Sequence, residues 1–90
     1  MLLELRKFGK ILNGRPAGRE AVLRVKQIVN GADGANEIVL DVSGVELLTP
    51  SFADELINGI KRDLPNSTVR VVGLENNVVI KDTLKSLNLI

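Results

Sequence analysis

Ile38-Val39-Leu40-Asp41-Val42-Ser43-Gly44-Val45-Glu46-Leu47-Leu48-Thr49-Pro50-Ser51-Phe52-Ala53-Asp54-Glu55-Leu56 is the stretch whose reading decides the fold. It opens as a short, β-branched, almost continuously apolar run, the pattern of a strand buried on both faces at the centre of a sheet. Ser43-Gly44 supplies a turn, and Val45 to Leu48 a second apolar step. Thr49-Pro50-Ser51 then starts a helix, with Phe52, Ala53, Leu56, Ile57, Ile60 and Leu64 at helical spacing for an inward face. A strand-to-helix junction of this kind presents unpaired backbone N–H groups and small hydroxyls at the surface.

On the amino-terminal side, Pro16 suits a first helical turn and Gly31 a helix end. Ala17, Ala21, Val22, Val25, Ile28 and Val29 form one stripe between them. Arg19, Glu20, Arg24, Lys26 and Gln27 form the outer face. Ahead of this helix, Leu3 and Leu5 alternate as in an edge strand, and Gly9 to Gly14 reads as a loop or a ragged strand at Lys10-Ile11-Leu12. Ala32-Asp33-Gly34-Ala35-Asn36 is a turn-rich connection. On the carboxyl side Pro65-Asn66-Ser67 breaks the chain and Thr68 to Val72 is a strand. Asn76 or Asn77 caps a third helix, whose stripe is Val79 or Ile80 with Leu84 and Leu87. Residues 1–90 are expected to form a single α/β domain. Its sheet is mixed or mostly parallel, of about four strands packed with about three helices.

Composition narrows the function. The 90 residues contain no Cys and no His, so disulfides, thiol nucleophiles, thiolate metal sites and the usual general base are all missing. Tyr and Trp are absent too, which removes a phenolic acid and an aromatic stacking platform. These absences predict a non-enzyme with no metal and no cofactor. Twelve basic against eleven acidic residues leave a net charge of +1, so no bulk field draws the chain to nucleic acid or anionic lipid. The start, Met1 to Phe8, is charged by Glu4 and lacks the apolar run of a signal peptide, and no segment approaches the roughly 20 apolar residues of a membrane span. A cytoplasmic protein is expected.

Three groups of residues carry chemistry. At the junction either Thr49 caps the helix with Pro50 in its first position, or Ser51 and Asp54 form a capping-box-like pair. Asp54 and Glu55 also complement the helix dipole. The same exposed helix start suits a docking surface (Thr49, Pro50, Ser51, Asp54, Glu55) or, through Ser51 or Thr49, a phosphoacceptor. Gly14-Arg15-Pro16-Ala17-Gly18-Arg19 lacks the ending of a phosphate loop, but Arg15 and Arg19 suit an anion or an acidic partner surface. Asp41, Glu46 and Asp54 are the carboxylates a small-ligand or hydrolytic site would draw on.

The Ile38–Leu56 run, with its aliphatic strand ending in Asp, Gly-Val step and Ser-Phe-Ala-Asp-Glu helix start, resembles the bacterial STAS-like domains of unknown function. These are relatives of the STAS domains of anti-sigma factor antagonists. The resemblance implies a small STAS-like α/β fold and a protein-binding, regulatory role. The partner it implies is a histidine-kinase-like (GHKL-type) ATPase. In the antagonists a serine at this helix start is phosphorylated by that partner. The antagonist motif Asp-Ser-Ser/Thr-Gly falls on Thr49-Pro50-Ser51-Phe52, so the modified serine lands on Pro50, which has no hydroxyl, its neighbour on Ser51, and the glycine on Phe52. Homodimerisation through an edge strand is a further expectation.

Overall fold

The computed structural model describes residues 1–31 and 37–90; the turn-rich connection read at 32–36 lies outside the described residues. Five strands and three α-helices follow one another as β1 (Leu2–Glu4), β2 (Ile11–Leu12), α1 (Arg15–Gly31), β3 (Glu37–Asp41), β4 (Leu47–Leu48), α2 (Pro50–Asp63), β5 (Thr68–Val72) and α3 (Val78–Ser86). A single 3-10 turn, Leu5–Phe8, follows β1, so the alternation of Leu3 and Leu5 is strand only as far as Glu4. Leu5 is nonetheless buried, because the turn folds it beneath the sheet with Leu3.

Every strand pair among the described residues is parallel. A three-stranded sheet runs β1-β3-β5, with Leu3 opposite Leu40 and Leu40 opposite Val71, and a separate two-stranded ladder pairs β2 with β4. β3 is therefore central, as its apolar run predicts. The crossovers β1-α1-β3 and β3-α2-β5 step in the same direction along the sheet. Right-handed crossovers then place α1 and α2 on the same face. The core follows from that arrangement: Leu3, Ile38 and Leu40 on one face of the sheet cluster with Val22, Val25 and Val29 of α1 and Phe52, Leu56 and Ile60 of α2. Val39 points to the opposite face and lies outside this cluster. It is buried laterally, flanked in register by Leu2 and Arg70.

The two helices run side by side in parallel. Gly18 lies against Glu55, Val22 against Gly59 and Lys26 against Asp63, each pair one turn beyond the last. Glycine is required at both contacts. A Cβ on Gly18 would stand 3.0 Å from the Phe52 carbonyl oxygen, and one on Gly59 would stand 2.6 Å from Val22 Cγ2. The inward stripe of α1 is Gly18, Ala21, Val22, Val25 and Val29. Ile28, expected in that stripe, is 42% exposed, because it lies one turn beyond Arg24 on the flank of the helix away from α2. Asn77, rather than Asn76, caps α3: its Oδ1 accepts the Ile80 N–H at 3.0 Å, and Ile80 and Leu84 enter the core while Val79 stays outside.

Candidate functional site

The junction between β4 and α2 is built around Thr49. Its backbone N–H donates to the Leu12 carbonyl at 3.0 Å, which carries the β2–β4 ladder one residue further. Its hydroxyl oxygen accepts the Phe52 N–H at 3.3 Å and thereby caps α2, with Pro50 in the first helical position. That oxygen also accepts the Gly14 N–H at 2.9 Å. Gly14 has a φ of +88°, the left-handed region, and this turn directs its N–H across the gap between the starts of α1 and α2. Thr49 thus resolves the two capping schemes open in the sequence. Ser51 is not the cap; its Oγ lies 3.3 Å from Thr49 Oγ1 and the residue is half-buried.

Starting both helices at one place brings two separate sequence features together. Arg15 Nη1 donates to Asp54 Oδ2 at 2.8 Å and approaches Glu55 Oε2 at 3.4 Å, while Arg19 Nε lies 3.8 Å from Glu55 Oε1. Asn58 Nδ2 donates to the other Asp54 oxygen at 2.6 Å. The Arg15 hydrogen bond, with the Asn58 bond beside it, holds Asp54 below the usual carboxylate range, and Asp54 in turn raises Arg15 above its ordinary value. The charges lie at the surface, where solvent screens them, so their consequence is geometric more than energetic. Four charged side chains from two helices form one ordered polar patch beside Pro50 and Ser51.

Asp41 and Glu46 stand apart from this patch. Asp41 Oδ1 accepts the Ser43 N–H at 2.9 Å in the turn after β3, and that backbone bond holds its carboxyl below the usual range. The Glu46 backbone N–H is bound to the Lys10 carbonyl at 2.8 Å. Among the described residues no three His, Cys, Asp or Glu side chains converge as a metal site would require. No helix of the described residues is long and apolar enough to cross a membrane.

Two elements of the site escape a reading of the sequence alone. The Gly14–Thr49 tie is a contact between residues 35 positions apart. The close approach at Gly18 depends on the helix crossing, and the only local signal is a glycine in a first helical turn, where Ala would be the better helix former.

The fold and junction define a small parallel α/β domain whose ordered surface feature is the shared start of two crossover helices. Residues 22–79 match the family described as the STAS-like domain of unknown function (DUF4325), and the chain belongs to that family. Thr49, Asp54 and Glu55 fall inside the matched span, whereas Arg15 and Arg19 precede it. Neither the curated proteins nor the solved structures give a match to the chain.

Proposed function

We propose that the domain is a non-catalytic bacterial interaction module that docks on a regulatory protein through the start of α2 and the adjoining start of α1. The observation that supports this reading is the ordered patch of Arg15, Arg19, Asp54 and Glu55, set beside Pro50 and Ser51 and anchored from below by Thr49. Side chains already held in place lose little freedom when a partner covers them, which favours binding. Arginine and carboxylate together offer donors and acceptors to a polar interface rim. By the STAS-like resemblance the partner is a GHKL-type ATPase, and the cytoplasm is where the two would meet. The test is affinity purification from the native host with the wild-type chain and with Asp54→Lys/Glu55→Lys as baits. The reading expects an ATPase of that type to be retained by the first and lost from the second, with circular dichroism unchanged between them. Equal retention by both baits would remove the α2 start from the interface.

A second reading, a phosphorylatable antagonist, rests on Ser51. Thr49 Oγ1 is occupied by two backbone N–H groups, whereas among the described residues Ser51 Oγ meets only Thr49. Ser51 is therefore the hydroxyl available to a kinase at this helix start. Incubation with the captured ATPase and ATP should add one phosphate by intact mass, and Ser51→Ala should abolish it. An unchanged wild-type mass would remove this reading.

A further inference from the structure

The flank of α1 that faces away from α2 carries a second surface. Phe8, Ile11, Leu12, Leu23 and Phe52 line a groove of about 380 Å3 between α1 and the β2 segment, with Glu20, Arg24 and Gln27 along its rim. Beside the groove stands a ridge. Ile11 is 63% exposed, Leu23 is 53% exposed, and Leu47, the β4 partner of Ile11 in register, also faces solvent. A groove and an apolar ridge side by side are what a symmetric pair needs, because a two-fold interface uses one patch twice.

The rim charges identify the occupant. Glu20 and Arg24 are four residues apart on one helix, the spacing at which opposite charges normally pair. They do not pair here. The Arg24 guanidinium instead lies over the Phe8 ring, 4.5 Å from its centroid, and Glu20 has no ion partner among the described residues. Stacking occupies the face of a guanidinium and leaves its N–H edge free to take a carboxylate. A partner of a single charge sign would be attracted by one of these residues and repelled by the other. A second copy of the chain, with its α1 antiparallel, satisfies both: Arg24 of each meets Glu20 of the other, with Leu23 between the two pairs.

We infer that this face is the interface of a symmetric homodimer in which α1 packs antiparallel on α1 of a second copy, pairing Glu20 with Arg24 twice and seating the Ile11–Leu47 ridge against the partner's groove. The net charge of +1 sets no long-range barrier to such a pair. Arg15 and Arg19 lie on the α2 side of α1, so the dimer leaves the α2 start exposed and presents it twice. The inference does not rest on the proposed docking role.

Charge exchange tests it. Sedimentation velocity over a concentration series should show wild type moving to twice the 9.8 kDa chain mass. Glu20→Arg and Arg24→Glu should each weaken association by about tenfold or more, since each places like charges face to face. Mixed in equal amounts, the two variants should restore a dimer at concentrations where each alone is a monomer, because one then carries two cations and the other two anions. Circular dichroism checks that both variants are folded. A wild-type chain that stays monomeric to about 1 mM, the weak limit of specific association, overturns the inference. So does a dimer indifferent to both variants, which would place the contact at the β1 or β5 edge, or a mixture that stays monomeric.

Discussion

Arg15 and Asp54, 39 residues apart in sequence, meet at 2.8 Å where α1 and α2 begin side by side. Their pairing joins the basic first turn of α1 to carboxylates of α2 and makes a single surface of two sequence features. Those carboxylates lie one turn in, beyond the first turn of α2 where they were expected to complement the helix dipole. Because both groups are solvent-exposed, the pair contributes little to folding. Arg15→Ala should leave the thermal midpoint close to wild type while weakening retention of the partner. A large fall in the midpoint would show that Arg15 is structural.

Thr49 is expected to behave in the opposite way. Its hydroxyl caps α2 and ties down Gly14, so Thr49→Ala removes an N-cap and a second hydrogen bond. The expected loss is about 1–2 kcal/mol by urea unfolding, with Thr49→Ser recovering most of it. Ser51→Ala should cost clearly less, since Ser51 caps nothing.

Gly59 tests the helix crossing. Alanine there gains about 1 kcal/mol in helix propensity, but its methyl would collide with Val22 at a packed contact, a penalty of about 1–3 kcal/mol. Gly59→Ala should destabilise the wild-type chain yet stabilise a Val22→Ala background, where the colliding methyls are gone. Additive effects in that double-mutant cycle would contradict the parallel contact between α1 and α2.

Acid dependence follows from the carboxyls held below their ordinary values: Asp41 by the Ser43 N–H, Asp54 by Arg15, Glu4 by Lys7 and Asp63 by Arg62. A carboxyl whose folded pKa lies below its unfolded one binds fewer protons in the folded state. Its contribution is complete above the unfolded value, about 4, and is lost as pH falls through the lower folded value. Urea midpoints should therefore hold steady from pH 7 to about 5 and drop below about 4. Asp41→Asn should flatten that drop, and Asp54→Asn, which removes a solvent-screened pair, should flatten it only slightly.

Much of the fold is legible from local patterns. Ile38 to Val42 declares a central strand through its almost continuous apolar run, Thr49-Pro50 declares a helix start, and Asn76 or Asn77 marks the start of a third helix. The features left unread are tertiary. β2 reads only as a loop or ragged strand and β4 only as an apolar step, because two residues are too short for any period; their parallel pairing, carried on by the Thr49 N–H, is what makes them strands. Ile28 reads as core because it shares the helical period, yet it lies on the flank of α1 away from α2 and is exposed. Asp54 reads as a capping or docking residue of one helix start and Arg15 as an anion contact at another, and only the parallel crossing brings them into one site.

The most direct test of the docking surface is residue-level mapping of the complex. The 15N-labelled chain is titrated with the GHKL-type ATPase proposed as its partner, and amide shifts are followed. Shifts concentrated at Gly14–Arg19 and Thr49–Glu55, and lost in Asp54→Lys/Glu55→Lys, are the predicted result. Shifts confined to the Leu2–Val39–Arg70 face of the sheet, or none at saturating ATPase, would contradict it.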